Sequence, residues 1–209
     1  MKDGVMIGWM LNFSHRQDAF WKNEAIKNLP PLISSTGMLV CGEDLGMIPQ
    51  SVPEVMNALQ ILSLEIQRMP KDPDKEFGDV ANYPYLSVCT TSTHDMSGIR
   101  AWWEEDRSKI QRYYNFILQE QGEAPYYCEP WICEKILAMH MHSPSMLAII
   151  PLQDWFSIDG NIRRNNPVEE RINDPANWRY RMHITIEDLL KNSNFNERVF
   201  ELVRSGGRE

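Results

Sequence analysis

The sequence predicts an α/β fold of parallel strands joined by crossover helices, and three observations point to it. Short apolar runs of strand length alternate four times with stripes at the three-and-four spacing of helices. Each run leads into turn residues and polar groups, which parallel sheets collect beyond the carboxyl ends of their strands. With 43% hydrophobic and 24% charged residues, the chain has apolar surface for a sizeable core.

In order along the chain, Trp21, Ala25 and Leu29 form a helical stripe that Pro30 and Pro31 are expected to end. Residues 38–41 follow as a buried strand. Ser51 and Glu54 have the spacing of a capping box, Pro53 fits a first turn, and Val55, Met56, Leu59 and Leu62 supply the buried face. Residues 64–66 are the second strand, and residues 71–79, rich in Pro and charge, are the nearest thing to a linker. Residues 86–91 are the third strand, running into Ser92, Thr93, His94 and Asp95. Ile99, Trp102, Trp103, Ile110, Tyr113, Tyr114 and Ile117 then keep helical rhythm over one long helix or two. Pro130 opens another helix with Ile132, Ile136 and Leu137, and residues 146–152 are the fourth strand. The tail is turn-rich, then helical over 195–203.

Composition excludes several roles. The 209 residues carry 21 Lys and Arg against 29 Asp and Glu, a net charge of −8, so the chain lacks the basic face that non-specific nucleic-acid binding needs. The apolar run over 5–13 is too short to span a bilayer and lacks a cleavage site, so neither a signal peptide nor a membrane span is expected. Four cysteines are too few and too irregular for a disulfide framework, which favours a reduced, cytoplasmic setting. Cys128, Cys133, His140 and His142 can be drawn as a zinc site, but their spacing is that of no zinc finger or knuckle, and no metal or cofactor is expected.

The chemistry lies after the strands. Cys41-Gly42-Glu43-Asp44-Leu45-Gly46 puts two carboxylates between glycines, Thr93-His94-Asp95 follows the third strand, and Gln153-Asp154 follows the fourth. Carboxylates at the mouths of successive parallel strands converge on one cleft, which suits glycoside chemistry: one protonates the leaving oxygen while others face oxocarbenium charge. Each piece also has a plain reading. Glu43 fits turn and cap chemistry, and His94 fits a loop residue bonded to backbone. Trp102, Trp103, Tyr113 and Tyr114 belong to a core rather than a sugar platform, Tyr126 and Tyr127 to a loop, and Glu104-Glu105-Asp106 to a solvated face.

As a set, these strings are more specific. Together with Glu65-Ile66-Gln67-Arg68-Met69-Pro70 and Arg100-Ala101-Trp102-Trp103-Glu104-Glu105-Asp106, they resemble the 4-α-glucanotransferases, or amylomaltases, of glycoside hydrolase family seventy-seven, in their type-two branch. Arg171-Ile172-Asn173-Asp174-Pro175 and Asn177-Trp178-Arg179-Tyr180-Arg181 are similar to the family's closing strings, so the resemblance runs from about Arg16 to Arg181. It implies the C-terminal half of a (β/α)8 TIM barrel, strands five to eight, over residues 1–209. The upstream half and any starch-binding modules are then absent.

The resemblance also implies roles. Glu43 matches the general acid/base, Asp95 the transition-state-stabilising carboxylate, His94 its sugar-bonding neighbour, and Asn173 a further sugar contact. The family's nucleophile, an Asp in an Arg-x-Asp-His string, has no counterpart in these residues. Arg16-Gln17-Asp18 echoes it but continues into Ala19 and a helix.

The implied activity is retaining transfer of α-1,4-glucan segments to an acceptor sugar, on maltose, malto-oligosaccharides or a glycogen-like glucan, without cofactor. The fragment alone is expected to be silent, and to self-associate or pair with its missing half. The competing readings are a non-catalytic carbohydrate-binding module, a retaining α-glucan hydrolase and a flavodoxin-like regulatory domain.

Overall fold

A computed structural model describes residues 3–46, 48–157 and 181–208. Its frame is a parallel sheet of β1 (Ser63–Ile66), β2 (Ser87–Thr90) and β3 (Leu147–Ala148), in that order. Ser63 pairs with Ser87 and Ile66 with Thr90, while Val88 pairs with Leu147. Cys41 adds a single parallel bridge to Leu62 beside β1. All four residues of β2 are buried, as expected of a strand paired on both sides and covered on its faces.

The side-chain period of two divides the sheet. Ser87 Oγ lies 2.7 Å from Ser145 Oγ, and Cys89 Sγ lies 3.1 Å from Ser143 Oγ, so these residues face the helical layer. Val88 and Thr90 face the other way, with Leu64 and Ile66 beside them in register. Strands two and three thus lie where the apolar runs put them.

The other two predicted strands shrink. Residues 38–41 keep only the Cys41 bridge, and residues 146–152 keep only β3, because Pro151 turns the chain into α6 (Leu152–Trp155).

The helices show two further departures. α1 (Asp3–Ser34) continues through Pro30 and Pro31 instead of ending there. So near the C-terminus the prolines forfeit just two helical donors, and the seryl hydroxyls of Ser34 and Ser35 take up the carbonyls of Pro31 and Leu32 at 3.1 and 2.6 Å. Of the predicted stripe, Ala25 is buried, Leu29 half-buried and Trp21 exposed.

α2 (Ser51–Ala58) starts where the capping box was expected, but neither side chain caps it. Ser51 Oγ instead donates to Asp18 at 2.6 Å, and Glu54 pairs with Lys22, joining α2 to α1. The tertiary partner wins over the local one.

The helical layer is assembled from α3 (Ile99–Trp103), α4 (Arg107–Arg112), a π-helix (Tyr113–Ile117) and α5 (Pro130–Met141). Asp106 caps α4 by accepting from the amides of Ser108 and Lys109, and Pro130 occupies the first turn of α5 as predicted. Trp102, Trp103, Tyr113 and Tyr114 are core residues, and the rings of Trp102 and Tyr113 meet edge to face at 4.8 Å. Tyr126 and Tyr127 are exposed. Glu104, Glu105 and Asp106 are exposed as expected.

Near the end of the chain, α7 (Ile186–Lys191) and α8 (Ser193–Ser205) follow, and α8 packs on α5. Arg208 fastens this tail by donating to the carbonyls of Met141, Ser143 and Ser145 at 2.7, 2.6 and 2.9 Å. Gly206 lies so close that a Cβ there would stand 2.3 Å from Met141 O. Gly206→Ala is therefore expected to cost about 1–3 kcal/mol, as other forced overpacking does. A shift of the urea midpoint measures it, and an unchanged midpoint refutes it. Among the described residues no helix is long and apolar enough to cross a membrane.

Candidate active site

Because the strands are parallel, the residues after Cys41, β1, β2 and β3 all leave from one edge of the sheet. The carboxylates there divide into two kinds.

Asp44 and Asp154 turn inward. Asp44 is 3% exposed, accepts from the Leu64 amide at 2.8 Å and pairs with Lys71 at 2.7 Å, while Lys71 also reaches Glu65 at 2.6 Å. Gly46, at φ +81°, makes the left-handed turn that follows. Asp154 is 2% exposed. Its Oδ2 accepts from Thr91 Oγ1 at 2.5 Å and Ser92 Oγ at 2.8 Å, and its Oδ1 accepts from the Ile99 amide at 2.8 Å. These two carboxylates hold backbone in place; Asp44 also forms part of the wall of a separate 330 Å³ cavity with Met56, Glu65 and Lys71, and neither joins Asp95 in its cavity, which corrects the expectation that all the acidic residues converge.

Glu43 and Asp95 are exposed. Glu43 stands two residues beyond the Cys41 bridge. Asp95 sits at the tip of the segment over 91–98, where its Oδ2 lies 3.3 Å from His94 Nε2 and its amide donates to Thr93 Oγ1 at 3.2 Å. Asp95 also forms part of the wall of a 290 Å³ cavity with Arg68, Ser97, Trp102, Glu105 and Lys109. Glu43 lies outside those walls. Asn173 falls outside the described residues, as do the strings around it up to Tyr180.

One residue that sequence reasoning gave no role, Arg68, builds the site from beneath. Arg68, just past β1, donates through Nη2 to the carbonyls of Thr91 and Ser97 at 2.9 and 2.7 Å, with its guanidinium 5.0 Å from the Trp102 ring centre. Arg68 thus ties both ends of the segment carrying His94 and Asp95, and Asp154 holds the same feet from the other side. Ser97 Oγ donates to Glu105, so part of the acidic run that looked merely solvated also braces this segment. The signal for Arg68 was a cation directly after a strand, the same position that marked Glu43. Gln67, beside it, accepts from Tyr113 Oη at 2.6 Å; burial pushes the Tyr113 phenol up, so it stays a donor.

The zinc drawing does not assemble. His140 is fully buried with Nδ1 bonded to Ile136 O at 2.8 Å, and His142 is exposed with Nδ1 on Ala138 O. Among the described residues no group of three His, Cys, Asp or Glu is placed to hold a metal.

Comparison with known proteins gives this edge a family. A family model described as 4-alpha-glucanotransferase matches residues 3–186. The chain is 43% identical over 197 residues to the 4-alpha-glucanotransferase DPE2 of Oryza sativa subsp. japonica, covering 92% of this chain and 21% of that one. It is 28% identical over 185 residues to a 4-alpha-glucanotransferase of Chlamydia caviae, covering 83% of this chain and 34% of that one.

Among solved structures, an amylomaltase from Streptococcus agalactiae in complex with acarbose matches with a TM-score of 0.62 at 21% identity, covering 80% of this chain and 32% of that one. An amylomaltase from Corynebacterium glutamicum matches at 0.58 and 18%, covering 80% and 29%. The chain thus spans about a fifth to a third of the length of the relatives it matches. It belongs to the 4-alpha-glucanotransferase family, glycoside hydrolase family seventy-seven.

Proposed function

We propose that these residues are the C-terminal half of the catalytic (β/α)8 barrel of a 4-α-glucanotransferase, contributing strands five to eight. An upstream Asp attacks the anomeric carbon of an α-1,4-glucan while Glu43 protonates the departing oxygen. Asp95 and His94 hold the distorted sugar, and Asn173 adds a further contact. Glu43 then deprotonates an acceptor hydroxyl, so the segment is transferred rather than hydrolysed. The glucan is maltose, a malto-oligosaccharide, or a polymer of the starch or glycogen kind.

The observation that supports this reading most is the parallel order of the Cys41 bridge, β1 and β2. Glu43 and the His94-Asp95 pair each follow one of these elements, in a chain of this family. Four free thiols suit a cytoplasmic setting. The edge beside Cys41 pairs with no further strand among the described residues, and with Met38 and Leu39 exposed it suits association with a complementary half or a second copy.

The division of labour is testable. The 209 residues alone are expected to release no glucose from maltotriose. In the longer enzyme carrying them, Glu43→Gln is expected to lower kcat by about 100- to 10,000-fold, the range of a lost general acid/base. Glucose release by the isolated chain that Glu43→Gln abolishes would overturn the assignment of the nucleophile to another segment. An unchanged kcat in the longer enzyme would remove Glu43 from the chemistry.

A further inference from the structure

Cys128 and Cys133 stand apart from the proposed sugar chemistry, yet they are the closest thiols among the described residues. Their sulfurs lie 3.3 Å apart. Cys128 is on the segment leading into α5 and 5% exposed, and Cys133 is fully buried in the first turns of that helix.

Both ends are held. The Trp103 indole and Arg107 donate to Pro125 O at 3.0 and 2.7 Å, fixing the chain three residues before Cys128. The helix fixes Cys133. A disulfide needs its sulfurs near 2 Å, about 1.3 Å closer than these stand.

We propose that Cys128 and Cys133 are an oxidation site that closes to an intramolecular disulfide when it meets a small peroxide. The hydrogen bond from Cys128 lowers the Cys133 thiol below its ordinary value; burial and the charge of Asp154 oppose the fall, while a bond from Ser157 and the charge of Arg100 add to it. The same bond, with burial, pushes Cys128 up, so it holds its proton as the donor.

The Cys133 thiolate attacks one peroxide oxygen, the O–O bond breaks, and a sulfenic acid and hydroxide form. The Cys128 sulfur then attacks that sulfenic sulfur, loses its proton and expels the oxygen as water. Two thiols and one hydrogen peroxide become one disulfide and two waters; each sulfur is oxidised by one electron and the peroxide takes two.

The test uses the chain itself. Both cysteines fall on one tryptic peptide, residues 113–135. The folded chain is treated with hydrogen peroxide, unfolded, alkylated, digested and weighed. The expected peptide is lighter by two hydrogens with both alkylation sites lost, and dithiothreitol restores both. The exposed Cys41 serves as an internal gauge of peroxide exposure.

In Cys128→Ser the disulfide signature is expected to vanish, and Cys133 to carry oxygen or remain alkylatable. Full alkylation of 128 and 133 when Cys41 is already oxidised overturns the proposal, as does oxidation of the pair to sulfinic acids without a bridge. Both readouts come from the unsubstituted chain, so they hold even if the serine variant does not fold.

Discussion

Asp154→Ala is expected to destabilise the protein by about 4 kcal/mol, because it strips three hydrogen bonds from a buried carboxylate and leaves their donors dry. Those donors are the hydroxyls of Thr91 and Ser92 and the amide of Ile99, all in buried residues. Gly98 leaves no slack, since a Cβ there would come within 2.6 Å of Asp154 Oδ1. Urea unfolding of the two chains measures the difference. Asp154→Asn, which keeps one carbonyl oxygen for the donors, is expected to lose less than the alanine variant. A loss below about 1 kcal/mol for alanine, no more than one ordinary hydrogen bond, would show that the carboxylate is not what holds this segment.

Acid is expected to weaken the fold through His140. The imidazole is fully buried, its Nδ1 proton is committed to Ile136 O, and Nε2 finds no partner among the described residues. Burial pushes its pKa down from the ordinary 6.5 to about 4; the Ile136 bond and the charge of Asp154 oppose the fall, and the charge of Arg68 adds to it. The folded state therefore resists a proton that the unfolded state accepts readily. Stability from this residue is intact above pH 6.5 and drains away as pH falls toward about 4, by about 3 kcal/mol in all. His140→Met, which fills the space without titrating, is expected to flatten the unfolding free energy across that window. An equally steep decline in the variant would assign the acid sensitivity to other groups.

How much of this was legible beforehand depended on whether a residue's partner was local. Residues 63–66 and 87–90 became strands because apolar runs of that length have few other places to go. The tryptophan and tyrosine stripe over 102–114 became core for the same reason. Some of the failures lie in distant partners. Ser51 had the right neighbour for a cap, but Asp18 on another helix took its hydroxyl. Residues 146–152 read as one apolar run, yet Pro151 ends it and sends Asp154 back to the segment after β2. Of the site, the motif strings located Glu43, His94 and Asp95 at one edge of the sheet, while the supporting work of Arg68 and Asp154 spans 23 to 63 positions and leaves no local pattern.

The segment over 91–98 has buried feet and an exposed crown. Thr91, Ser92 and Ser97 are sealed in, while His94 and Asp95 stand in solvent. Folding and the proposed chemistry are therefore written in different letters of the same short stretch. Natural selection, or a laboratory library over positions 93–96, can revise the sugar contacts proposed for this stretch without renegotiating whether the protein folds.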